Sequence, residues 1–244
     1  MNECSLRRPI SVFAVFAVAF TAVVHAQDLP DPTRFEGEIR RFERQDRQDP
    51  PPEGAIVLTG SSSIARWNNQ AQAALAPLTV IPRGFGGSVM NDVLYYLDRV
   101  ALAYRPRAIL IYEGDNDTGS GTPIPNAVIL DQLRQIIGRI HAALPRTRVY
   151  VLSVKPSILR WGTWPVAQAL SAAYQEIAAA DPLVYYVDVA TPLLEQNGSV
   201  RPDIFVRDNL HLNAAGNEIW GSTIRAALMP IESQYESGTD AQDR

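Results

Sequence analysis

The sequence predicts one three-layer α/β/α domain: a flavodoxin-like parallel sheet of five strands with helices on both faces. Three observations carry that prediction. Five apolar runs, each four to seven residues long, show little polar alternation, as strands buried on both faces do. Between them, apolar residues recur at helical spacing, and strands that alternate with helices imply parallel pairing. The 244 residues, 46% hydrophobic and 20% charged, suffice for one sizeable core and place the chain in the ordinary globular class.

The first 26 residues read as an address. Arg7 and Arg8 precede fifteen mostly apolar residues at 10–24, and Val24-His25-Ala26 follows, the pattern of a secretory signal peptide cut after Ala26. Fifteen residues fall short of the roughly 20 that span a bilayer, so no stable membrane insertion is expected after cleavage. No cysteine follows the run to take a lipid, and ordinary Sec export is a plainer reading of the arginine pair than twin-arginine export. Cleavage removes Glu3, Arg7 and Arg8 and leaves 218 residues with a net charge of −5, bound for the periplasm or the medium.

Residues 27–230 are expected to form the single domain, with 27–54 an N-terminal helix and proline-rich linker and 231–244 a polar, flexible tail. A charged amphipathic helix from Pro32 to about Asp46 carries Phe35, Ile39 and Phe42 on one face, and Pro50-Pro51-Pro52-Glu53-Gly54 ends it. The strands fall at 55–59, 78–81, 108–112, 149–154 and 183–189. One intervening helix aligns Val93, Leu97, Val100 and Tyr104; a second aligns Ile129, Leu133, Ile136, Ile140 and Leu144. An alanine-rich third covers roughly 165–180, and a last helix begins near Asn213 and buries Trp220, Ile224 and Leu228.

Composition excludes several functions. The net charge of −4 gives no reason to expect nucleic acid or an anionic membrane as partner. Lys155 is the single lysine and follows Val154, which rules out the Gly-Lys-Ser/Thr phosphate loop. Cys4 lies ahead of the apolar run, so the mature chain has neither a disulfide nor a Cys/His zinc site. Its two histidines are His141 and His211.

In an open parallel sheet, functional groups gather past the carboxyl ends of the strands. Gly60-Ser61-Ser62-Ser63-Ile64 follows the first strand, and Arg83-Gly84-Phe85-Gly86-Gly87-Ser88 the second. Glu113-Gly114-Asp115-Asn116-Asp117 follows the third, and Asp208-Asn209-Leu210-His211 lies beyond the fifth. Each has an ordinary explanation alone. Serines cap helices, and the glycines suit a strand-to-helix turn; they fail the dinucleotide fingerprint because Val89 stands where the third glycine belongs. Gly-Asp-Asn-Asp suits an Asx turn, and His211 suits a loop. Together they bring to one edge a hydroxyl, bare backbone N–H groups, a carboxamide, and an imidazole with a carboxylate three residues upstream. A serine needs a base to take its proton, the base needs an acid to orient it, and an oxyanion needs donors. His141 sits instead near a helix end beside Ile137 and Leu144, where it suits the helix dipole.

In this order, over residues 55–228, the four clusters resemble the blocks of the SGNH (GDSL-type) hydrolases. Gly60-Ser61-Ser62-Ser63 is similar to Gly-Asp-Ser-x, Gly84-Phe85-Gly86-Gly87 to the second block, Gly114-Asp115-Asn116-Asp117 to Gly-x-Asn-Asp, and Asp208-Asn209-Leu210-His211 to Asp-x-x-His. The resemblance implies the SGNH hydrolase fold, a catalytic set of Ser62, His211 and Asp208, and an oxyanion hole formed by the N–H groups of Ser62 and Gly87 and the amide of Asn116. It implies an exported serine esterase that hydrolyses small-molecule carboxylic (acyl or acetyl) esters through an acyl-enzyme, with neither metal nor cofactor. The first-block Asp is Ser61 here, so three serines stand in a row and Ser61 is the alternative nucleophile. Lys155-Pro156-Ser157 and Arg160-Trp161 resemble a loop of secreted or periplasmic bacterial members, either a structured turn or a substrate-facing rim. Trp67, Trp161 and Trp164 could line a sugar or acyl site or simply pack.

Three rivals remain. An α/β-hydrolase elbow, Gly-x-Ser-x-Gly, fails at Ile64, and its acid precedes its histidine by a long stretch. A flavodoxin-like nucleotide binder conflicts with the acidic charge, the failed glycine fingerprint and the missing lysine loop. An exported, catalytically degenerate binding protein would hold an acylated or sugar ligand in the same crevice, and the missing first-block Asp leaves room for it.

Overall fold

A computed structural model describes residues 29–119 and 121–236; the expected leader and residues 237–244 lie outside the described residues. A 3-10 turn at Pro32–Phe35, capped by the Asp31 carboxylate on the Thr33 N–H, leads into α1 (Glu36–Gln48), which buries Ile39 and Phe42. The remaining helices are α2 (Ser62–Trp67), α3 (Ala71–Ala74), α4 (Met90–Val100), α5 (Asp115–Gly119), α6 (Asn126–Ala143), α7 (Trp164–Ala179) and α8 (Ala214–Glu232). The strands are β1 (Ile56–Gly60), β2 (Val80–Gly84), β3 (Ala108–Tyr112), β4 (Arg148–Leu152) and β5 (Val184–Val187). They form one sheet, every pair parallel, in the order β2-β1-β3-β4-β5.

Strand alternation sorts the core into two layers. Val57, Ile109, Ile111, Val149 and Val151 face the layer of α1, α4, α6 and α7. Ile56, Leu58, Leu110, Tyr112, Tyr150 and Leu152 face the layer of α2, α3 and α8, where Trp67 and Trp220 are buried. Each fully buried aliphatic side chain adds about 1.5–3 kcal/mol relative to exposure. All five expected strands are present.

The second strand begins two residues later than expected and runs to Gly84. Arg83 hides its end from sequence reading. The side chain is buried, donates to the Tyr104 hydroxyl at 2.7 Å and pairs with Asp46. On the open edge of β2, the N–H groups of Val80 and Gly84 donate to the side chains of Gln72 (3.1 Å) and Asn68 (3.1 Å). Pro82 between them has no N–H to satisfy, which suits an edge strand.

The chain also stays packed beyond the boundary expected at 230. Glu232 is fully buried and accepts from Arg107 Nε (3.0 Å), Arg148 Nε (2.6 Å) and Nη2 (2.9 Å), and the Tyr150 hydroxyl (2.8 Å). A 3-10 turn at Ser233–Tyr235 follows, and Glu236 accepts from the N–H and hydroxyl of Thr79, both at 2.7 Å. Residues 231–236, assigned from sequence to a flexible tail, are therefore tied to the sheet.

Candidate active site

The serine cluster is placed by a close approach of two strands. Gly60 has φ +131°, and a Cβ there would lie 2.1 Å from the carbonyl oxygen of Tyr112. Only glycine fits. The next N–H, of Ser61, donates to that same oxygen at 3.1 Å, and the chain turns straight into α2, with the Ser61 carbonyl accepting from Ile64 and Ala65 at 3.0 Å each. Ser61 is fully buried and Ser63 nearly so. Ser62, the first helical residue, is only partly buried, and its Oγ lies 2.9 Å from Nε2 of His211. Of the three serines, the one aligned with the motif is thus the one at the imidazole.

His211 is held by its own loop. Asp208 Oδ1 accepts from the N–H groups of Leu210 and His211, both at 2.9 Å, and Oδ2 lies 2.7 Å from the ring Nδ1. Asn209, between them, takes φ +58°, a conformation asparagine tolerates better than most residues. Desolvation pushes the Asp208 carboxyl up, but hydrogen bonds from the His211 N–H, the ring and the Leu210 N–H outweigh it and hold the carboxyl far below its usual range.

Two further clusters meet at the same edge. A Cβ on Gly86 would come within 3.9 Å of Cα and Cβ of Ser62, so the glycine turn runs beside the serine. Gly87 follows, and after it the Ser88 carbonyl accepts from Asn116 Nδ2 at 2.9 Å. Buried acids brace the turn from behind. Ser88 Oγ donates to Glu113 at 2.5 Å, and Asp117 accepts from the N–H groups of Met90 and Gly114, both at 2.9 Å. Burial, then the Asp117 charge, pushes Glu113 well up; burial raises Asp117 itself to about 6.

The loop after β4 is mostly a structured turn. The Lys155 side chain is fully buried, its Nζ donating to Asp115 Oδ2 (3.0 Å) and to the Leu210 carbonyl (2.9 Å). Arg160 Nη1 donates to Asp115 Oδ1 (2.5 Å) and Nη2 to Asn116 Oδ1 (2.9 Å). Burial pushes the Asp115 carboxyl up, the ammonium and then the guanidinium pull it down, and the balance lies below its ordinary value. Sequence reading passed over Asp115; its signal was its place beside Asn116 in the third cluster. Leu159 (62% exposed) and Trp161 (37%) do stand out from this loop, and the Trp161 ring stacks on that of Trp164 at 6.1 Å. Trp67 lies in the core and lines no site.

His141 is elsewhere, on α6, with Nδ1 3.5 Å from Asp181. A depression of about 570 Å³, lined by Arg105, Arg107, Arg146 and Arg148 among others, lies where β3 and β4 begin, at the opposite edge from Ser62. No helix among the described residues is long and apolar enough to cross a membrane.

Residues 48–219 match the family model described as GDSL-like lipase/acylhydrolase. Similar solved structures include a protein of Streptococcus pneumoniae, at 24% identity over 80% of this chain and 93% of the other, TM-score 0.70. A GDSL-like lipase from Bacteroides thetaiotaomicron has 19% identity over 79% and 97% of the two chains, TM-score 0.68. A carbohydrate esterase of family 3 from Talaromyces cellulolyticus has 16% identity over 74% and 99%, TM-score 0.58. At these identities the likeness establishes the fold. No curated protein matches the sequence.

Proposed function

The chain belongs to the GDSL-like lipase/acylhydrolase family, a family of carboxylic ester hydrolases, and from that premise we propose that it is an exported serine esterase working through Ser62, His211 and Asp208. The observation that carries this reading is the pair of contacts at His211, 2.9 Å to Ser62 Oγ on one ring nitrogen and 2.7 Å to Asp208 on the other.

His211 Nε2 takes the hydroxyl proton as Ser62 Oγ bonds to the ester carbonyl carbon. Asp208 keeps the other proton on Nδ1 and stabilises the imidazolium. The carbonyl oxygen becomes an oxyanion and meets the N–H groups of Ser62 and Gly87 and the amide of Asn116. One such donor contributes about 2.7–4 kcal/mol to the transition state. The ester C–O bond then breaks, His211 gives its proton to the departing alkoxide, and an acyl-Ser62 remains. Water repeats the sequence: His211 takes its proton, the C–Oγ bond breaks, and Ser62 recovers its hydrogen as the carboxylic acid leaves. The substrate is a small-molecule acyl or acetyl ester.

Export is the part of the proposal that rests on residues 1–26, with the mature domain beginning at residue 27. Determining the N-terminus of the exported protein tests it: Gln27 is the expected first residue. An organophosphonate tests the chemistry. One phosphonyl group per folded chain is expected on Ser62, absent from Ser62→Ala and retained by Ser61→Ala. A well-folded protein that takes no label would overturn the esterase reading and leave the binding protein in its place.

A further inference from the structure

An oxyanion hole needs hydrogen, not oxygen, from its carboxamide. The two ends of an asparagine side chain have nearly the same shape, so only their partners decide which way it faces. Both ends of Asn116 are engaged. Oδ1 accepts from Arg160 Nη2 at 2.9 Å, and Nδ2 donates to the Ser88 carbonyl at 2.9 Å. A guanidinium has only donors and a carbonyl only accepts, so the reverse orientation would set N–H against N–H and oxygen against oxygen. The observed orientation leaves one Nδ2 hydrogen beyond the Ser88 bond.

Arg160 is itself locked. Its other terminal nitrogen lies on Asp115 Oδ1 at 2.5 Å, so the planar fork spans two consecutive residues, one ionic and one amide. Asp115 also takes Lys155 Nζ (3.0 Å) and the Tyr112 hydroxyl (3.2 Å), and Lys155 reaches the carbonyl of Leu210, the residue before His211. An unbroken run of hydrogen bonds therefore joins the histidine loop to Ser88. It holds two cations and one carboxylate, and the surplus positive charge lies beside the Asn116 amide, drawing electrons from its N–H groups. Arg160 makes no hydrogen bond to Ser62 or to the His211 ring among the described residues.

We propose that Arg160 is a positioning residue of the esterase, orienting and polarising the Asn116 amide, while Asp115 and Lys155 tether that donor to the loop carrying His211. The inference rests on the reading of Asn116 as an oxyanion donor.

A double-mutant cycle tests it, with kcat and KM measured on p-nitrophenyl acetate for wild type, Arg160→Ala, Asn116→Ala and the double variant. Arg160→Ala is expected to lower kcat by about 10- to 100-fold with KM within about threefold, the size of effect that coupled neighbours show. In the Asn116→Ala background the same change should alter kcat by less than about threefold, because the group it acts through is gone. A mere brace would lower both backgrounds alike. Arg160→Lys keeps the charge and the Asp115 pair but not the fork; it is expected to unfold at the wild-type temperature and still lose about tenfold in kcat, and it carries the test if Arg160→Ala fails to fold. Wild-type kcat in both Arg160 variants, or losses that multiply in the double variant, would overturn the proposal. Wild-type kcat in Asn116→Ala would instead remove the oxyanion reading beneath it.

Discussion

Replacing Asp208 by asparagine should stop turnover without disturbing the fold, for a reason set by hydrogen-bond direction. Asp208 Oδ1 accepts two backbone N–H groups, from Leu210 and His211, each at 2.9 Å. An asparagine would keep its carbonyl oxygen there, because turning the amide over would point N–H at N–H. Its NH₂ would then occupy the place of Oδ2, 2.7 Å from Nδ1 of His211. The ring must accept that hydrogen, so its own proton moves to Nε2 and points at Ser62 Oγ, 2.9 Å away. A donor there cannot take the serine proton. The same change of tautomer in the chymotrypsin-type triad lowers kcat about 10⁴-fold, or about 5.4 kcal/mol. A similar loss is expected for Asp208→Asn in initial rates on p-nitrophenyl acetate, with the thermal midpoint nearly unchanged because both loop hydrogen bonds survive. Asp208→Ala would lose those bonds too and unfold earlier. Turnover of Asp208→Asn within tenfold of wild type would refute the assignment of Asp208 as the orienting acid.

Ser62→Ala is expected to remove nearly all turnover, and Ser61→Ala little, because the Ser61 hydroxyl is buried with no hydrogen-bond partner among the described residues; the reverse result would move the nucleophile. Asp117, raised to about 6, stabilises the fold most below the ordinary value of 3.8 and loses that contribution as pH rises through about 6. Urea unfolding from pH 3.5 to 7.5 should therefore show the advantage of wild type over Asp117→Asn shrinking by about 3 kcal/mol as pH rises; a flat difference would count against the shift. Glu232→Ala leaves two guanidinium groups and a tyrosine hydroxyl without their shared carboxylate, and a loss of about 3–5 kcal/mol is expected, lowering the unfolding midpoint by roughly 10 °C. An unchanged midpoint would show that the network contributes nothing net.

The strands are legible in the sequence because burial on both faces leaves their interiors almost free of polar residues, as in Ala108–Tyr112, whose bounds agree with expectation. Ser62, His211, Asp208 and Asn116 are legible because their clusters follow strand ends in a fixed order. What escaped reading are charges neutralised at long range. Arg83 looked like the end of a strand because Asp46, 37 residues earlier, was not visible as its partner. Glu232 looked like the start of a solvated tail because Arg107 and Arg148 lie 125 and 84 residues away in sequence. Lys155 and Arg160 looked like a rim for the same reason: Asp115, 40 and 45 residues upstream, draws them inward. Trp67 and Trp161 were indistinguishable as letters, and packing separated them into a core residue and a half-exposed one.

Lys155 has one more consequence, which follows from its being the single lysine and from the complete burial of its side chain. Histidine apart, every other basic side chain is a guanidinium, so amine-directed acylating reagents find no solvent-facing side-chain amine. Any acylation of Lys155 in native buffer would report a transient opening of the loop beneath the histidine. Its rate gives a clock for how often Lys155 leaves Asp115 and the Leu210 carbonyl.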